Sequence, residues 1–103
     1  MRMSIYVVFD GQAKVSMAPV FYESDPIAIR SFENTVESKE PFVSNPEDFT
    51  LYRVGTFDDE GMVIEGEEPH RLVGGLQALK NRKLKRAKIE DLEVEVETAK
   101  GDL

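Results

Sequence analysis

Six Lys or Arg residues fall within the ten positions Leu79–Lys88: Lys80, Arg82, Lys83, Lys85, Arg86 and Lys88. No acid interrupts them. Each could pair with a phosphate and release its counterions, so the run is a candidate for nucleic-acid binding, with Arg71 just upstream. On a helix, 82, 85 and 86 lie near one another, as do 80, 83 and, further off, 88. Equally, the run could be a solvated helix face that pairs with the protein's own acids. The acidic strip at 90–97 could fold back on it, or bind it in a second subunit.

The surrounding charge sharpens that choice. The chain has 103 residues and a net charge of −7. Residues 1–69 hold 5 Lys/Arg against 14 Asp/Glu, residues 70–88 hold 7 Lys/Arg and no acid, and residues 89–103 hold 1 Lys against 6 Asp/Glu. The basic run is therefore an island between two acidic segments, and local potential decides which ligands approach.

Other chemistry is sparse. The chain has no cysteine, which excludes disulfides, thiolate metal sites and a cysteine nucleophile and fits a reducing compartment. Its one histidine, His70, reads as an exposed loop residue. Asp58-Asp59-Glu60 lacks the alternating oxygen ligands of a calcium loop and reads as a hairpin turn. Gly74-Gly75 is not followed by the Lys-Ser/Thr of a phosphate loop. No enzyme activity, metal or cofactor is expected. Tyr6, Tyr22 and Tyr52 form a second candidate. If their strands align, the three could share one sheet face and stack unpaired bases. The competing reading makes them a core or dimer face whose hydroxyls reach the edge. Arg53 has the parity of Leu51 and Phe57. An unpaired buried Arg is costly, which predicts that the Leu51/Arg53/Phe57 side is exposed.

The elements that position these groups follow from periodicity. Ser4–Phe9 alternates as a strand, and Asp10-Gly11 suits a hairpin turn. A second strand over 14–22 contains Pro19, which predicts an edge or a bulge. In "ESDPIAIRSFENTVES", Ser24 or Asp25 can cap a helix, Pro26 fits its first turn, and Ile29, Phe32 and Val36 make one face. Pro46 opens a short helical turn. Strands follow over Phe49–Phe57 and Met62–Glu65. The order β-β-α-β-β predicts an α+β fold: a small antiparallel sheet with one helix on one face. Residues 1–69 form this core domain, and residues 70–103 add a helical basic segment and an acidic tail. Leu72, Leu76 and Leu79 have helical spacing, with Gly74-Gly75 as a possible hinge. At the end, Leu92, Val94 and Val96 alternate with glutamates, which favours a strand or loose tail. Ile89, Leu92 and Val96 also fit a helix. The apolar run Ile5–Phe9 is too short for a signal-peptide core or a membrane span.

The middle of the chain resembles a known family. "DPIAIRSFENTV" followed by "PFVSNPEDFTLYRVGTFDDEGMV" is similar to the small nonstructural protein of gokushovirus-type microviruses, phages with single-stranded DNA genomes. The matching residues are Ala28, Ile29, Arg30, Phe32, Val36, Asn45, Pro46, Glu47, Asp48, Phe49, Leu51, Gly55, Phe57 and Asp58. The resemblance covers roughly 4–66 and leaves the basic run outside it. It implies a protein of the host bacterial cytoplasm that binds single-stranded DNA in genome replication or packaging. Viral or host replication proteins are possible partners, and homo-oligomerisation is expected of so small a domain. A different class also fits: an oligomeric adaptor or assembly factor whose acidic domain recognises a basic viral or host protein. A third reading is an inhibitor of a host replication enzyme.

Overall fold

The computed structural model describes the backbone of residues 1–101 and the side chains of residues 1–92. Strand β1 (Arg2–Asp10) is the centre of an antiparallel sheet. Short strands β2 (Val15–Ser16) and β3 (Val20–Tyr22) both pair with it along the same edge. They are one expected strand cut in two at Met17–Pro19, because Pro19 has no N–H to give a ladder. The turn before them spans Gly11–Lys14 and is longer than the two-residue turn expected. Asp10 Oδ1 accepts from the N–H groups of Gln12 and Ala13 at 3.0 and 3.2 Å, and Lys14, not Gly11, takes the left-handed conformation (φ 58°).

Helix α1 (Asp25–Ser38) starts where its sequence predicts, with Pro26 in the first turn, but Ser24 at the N-cap makes no side-chain capping bond and Asp25 is engaged elsewhere. It buries Ala28, Phe32, Glu33 and Val36, and Ile29 packs at the margin. A single 3-10 turn, Pro46–Asp48, leads into β4 (Phe49–Asp58), which pairs with β1. Strand β5 (Val63–Gly74) pairs with the far side of β4. The sheet order is β2-β1-β4-β5, with β3 beside the other end of β1. The expected α+β architecture is present, with a second helix.

Three expectations are corrected here. The fourth strand does not stop at Glu65. It continues through Pro69 to Gly74, so Leu72 belongs to a strand and not to a helical stripe. Its edge position tolerates Pro69 and the acids 65, 67 and 68, which hid the pattern. Gly74-Gly75 is a tight junction between strand and helix. A Cβ on Gly75 would lie 2.1 Å from the Pro46 carbonyl oxygen, so the glycine permits close backbone approach. Finally, helix α2 (Gly75–Gly101) runs on through the acidic end, which is neither a strand nor a loose tail.

The core lies between the sheet and α1, closed at one end by the start of α2. It contains Tyr6, Ala28, Phe32, Val36, Phe49, Leu51, Val73 and Ala78. Phe42 covers it, its ring 4.5 Å from that of Phe49. The helices occupy one face of the sheet. The other face is open.

Candidate nucleic-acid interface

Register decides which side chains the open face carries. Residues directly opposite in an antiparallel sheet share a face. Tyr6 pairs with Arg53, and Val7 with Tyr52. Tyr6 and Tyr52 therefore point to opposite sides, and the three tyrosines do not form one platform. Tyr6 lies beneath α1, fully buried, and its hydroxyl donates to Asp25 Oδ1 at 2.7 Å. Burial and that hydrogen bond push its pKa up to about 12. Tyr22 lies on the same side, its ring 5.9 Å from Tyr6 and its hydroxyl 2.7 Å from Ser31 Oγ.

Arg53 also points to the helix side, so the expectation of an exposed Leu51/Arg53 face is overturned. Leu51 is buried, and Arg53 is paired: it donates to Asp25 Oδ2, and its Nε lies 3.5 Å from Glu67. Asp25 thus joins the first turn of α1 to β1 and β4. Its negative charge also suits a helix N-terminus. The ladder shifts between Arg53 and Gly55, where Val54 is the extra residue. Beyond that bulge the parity inverts, and Phe57 turns to the open face.

The open face is a continuous apolar surface. Met3 and Phe57 lie at one end, Ile5 and Phe21 next, then Val7 and Tyr52, then Phe9. Phe21 meets Phe57 edge-on at 5.7 Å, and Phe9 meets Tyr52 edge-on at 6.4 Å. A groove of about 430 Å³ runs between Val7, Phe9, Ser16, Tyr52, Val54 and Pro69. Among the ladder positions of this face the one residue charged at neutral pH is Arg71, opposite Tyr52. Acids crowd elsewhere: Glu65 pairs with Thr56 on the other face, and Glu67 meets Arg53 there. Phe9, Phe21, Val54 and Phe57 were not singled out from sequence. The available signal was β1, which is apolar at both parities and so requires cover on both faces.

The basic island divides in two. Lys85 Nζ lies 2.8 Å from Glu33 Oε1, Arg82 Nε lies 3.4 Å from Glu37 Oε1, and Arg86 also donates to Glu37. These pairs clamp α2 to α1. Lys80, Lys83, Lys88 and Arg71 make no ion pair among the described residues. Arg71 and Lys80 line a second cleft with Glu47, Thr50 and the first turn of α2, adjoining the open face. The acidic strip continues the same helix, so it does not fold back along the island.

The remaining candidates have structural surroundings. His70 is exposed on β5. Asp59 accepts from the N-terminal ammonium of Met1; the contact raises the pKa of the ammonium and lowers that of Asp59. No group of three or more His, Asp or Glu side chains among the described residues is arranged to hold a metal. No described helix is long and apolar enough to cross a membrane.

Residues 3–79 match the family model described as phage ORF5 protein. The match includes the whole sheet, α1 and the first turn of α2, and ends before Lys80. No curated protein and no solved structure matches the chain.

Proposed function

The chain belongs to the phage ORF5 protein family, and we propose that it is a non-enzymatic protein that binds single-stranded DNA across the open sheet face. The observation that carries this reading is the composition of that face. In a chain of net charge −7 its ladder positions present Phe9, Phe21, Tyr52 and Phe57 with a single residue charged at neutral pH, an arginine. Exposed aromatic rings stack unpaired bases at about 1–3 kcal/mol each, largely regardless of sequence. A buried duplex base offers no face to them. Arg71 and Lys80 lie at one border of the surface, with Lys83 and Lys88 further along α2, as contacts for the phosphates. The resemblance to the gokushovirus nonstructural protein agrees with such a role, in replication or packaging of the genome in the host cytoplasm.

The test is anisotropy of a labelled oligo-dT against salt. The parent is expected to bind at low salt and to weaken as salt rises, with a log–log slope of at most about −3 for four phosphate contacts. Tyr52→Ala with Phe9→Ala should weaken binding by at least about 30-fold with the salt slope retained. Absence of binding at low ionic strength would sink the proposal. A second reading rests on the same face. An apolar surface this extensive is also what a protein partner covers, so the chain could be an adaptor for a viral or host protein. An assembly that ignores DNA at every salt concentration would favour it.

A further inference from the structure

The two ends of the open face are built differently. At one end Ile5 is only 7% exposed, although it lies on the face without helices. Phe21 is directly opposite Ile5, and its ring meets Phe57 edge-on at 5.7 Å. Those two rings close a small second core over Ile5, which gives them a structural job. At the other end Phe9 and Tyr52 border the groove of about 430 Å³ with Val7, Val54 and Pro69. A cavity of that size falls within the range of ligand pockets, about 300–1,000 Å³.

Charge divides the face in the same way. The chain beyond Phe57 carries Asp58, Asp59 and Glu60, and Glu65 follows Ile64 on β5. The cations at that end are Arg2, opposite Asp58, and the N-terminal ammonium, which Asp59 and Glu60 hold. Acids in excess repel a phosphate that comes within a Debye length, about 8–10 Å. At the groove end the balance reverses. Tyr52 is opposite Arg71, and Phe9 is opposite Thr50. Arg71 and Thr50 also line the cleft that Gln77 and Lys80 complete, where Glu47 is the one acid among the lining residues. Side chains directly opposite on one face lie about 5 Å apart, so the groove and the cleft adjoin. We propose that a DNA strand is held at the groove end alone, with one base in the groove against Phe9 and Tyr52 and the neighbouring phosphate in the cleft on Arg71 and Lys80. The Phe21/Phe57 end stays free of nucleic acid. This inference rests on the DNA-binding reading and locates the strand within the face.

Matched substitutions at the two ends decide it, read by anisotropy of labelled oligo-dT at low salt. Phe9→Leu with Tyr52→Leu keeps apolar bulk but removes the rings, and should weaken binding at least about tenfold. Phe21→Leu with Phe57→Leu should leave the affinity within about twofold, because no base stacks there. Arg71→Gln with Lys80→Gln should flatten the log–log salt slope by about 1.4, the share of two single-strand phosphate contacts. Glu47→Gln should tighten binding about two- to fivefold, whereas Glu60→Gln, the same neutralisation at the far end, should leave it unchanged. A 5-iodouracil in the oligonucleotide should photocross-link the parent chain at Phe9 or Tyr52, a readout that needs no variant to fold. Cross-links at Phe21 or Phe57, or equal losses from the two leucine pairs, would overturn the inference and leave DNA binding standing. A parent chain that binds no oligo-dT would remove both.

Discussion

The ammonium of Lys85 lies 2.8 Å from a carboxylate oxygen of Glu33, a residue only 2% exposed on the core side of α1. An acid that deep is costly unless paired. The pair gives one member of the basic island a structural job. Removing Lys85 strands the buried carboxylate, whereas removing Lys83, which is exposed and makes no ion pair among the described residues, does not. Lys85→Ala is expected to lower unfolding free energy by about 1–3 kcal/mol, discounted from a fully buried pair because the lysine is half exposed. Lys83→Ala should cost under about 0.5 kcal/mol. Glu33→Gln should recover part of the loss in the Lys85→Ala background. Urea titrations of the four chains measure this.

The island should therefore separate into two sets of variants. Arg82→Gln with Arg86→Gln removes both partners of Glu37, and should lower the thermal midpoint by several degrees. Arg71→Gln, Lys80→Gln, Lys83→Gln and Lys88→Gln together should leave the midpoint nearly unchanged. If the proposed function holds, they should flatten the salt dependence of oligo-dT binding. Changing all the island's cations at once would confuse the two effects. The paired readout is differential scanning calorimetry beside the anisotropy assay.

Glycines at matched positions make a sharper test of the sheet. Gly55 and Gly66 face each other across β4 and β5. A Cβ on Gly55 would sit 2.4 Å from the Glu65 carbonyl oxygen, while a Cβ on Gly66 would meet nothing within 4 Å. Gly55→Ala should destabilise by about 2 kcal/mol or more, because backbone must move. Gly66→Ala should be neutral or slightly stabilising, since it restricts the unfolded chain. Chemical denaturation of the two single variants decides it.

Tyr6 predicts an alkaline limit. Its folded pKa is raised from 10.0 to about 12, so the fold favours the neutral phenol. The associated stability is complete below pH 10. It is lost as pH rises towards 12, because the unfolded chain ionises first. The loss amounts to about 2–3 kcal/mol for a shift of this size. Tyr6→Phe should remove that pH dependence while leaving Arg53 on Asp25. Stability measured from pH 9 to 12 in both chains checks the sign.

Local patterns carried much of the fold. Pro26 and the Ile29/Phe32/Val36 spacing determined α1, although Ala28 takes the deeper place and Ile29 the margin. Pro19 determined the break in the edge strand, and Pro46 the 3-10 turn. The isolation of the charges in Leu79–Lys88 was also legible. What neighbouring residues cannot encode is pairing between distant segments. The side of the sheet to which Tyr6, Arg53 and Phe57 turn depends on ladder register, and one extra residue at Val54 inverts it. The length of β5 was hidden because an edge strand need not alternate. Whether Arg82, Lys85 and Arg86 meet solvent or acid depended on Glu33 and Glu37, some fifty residues earlier. Those carboxylates come within reach only when α1 and α2 pack on the same face of the sheet, and that packing leaves the opposite, aromatic face open.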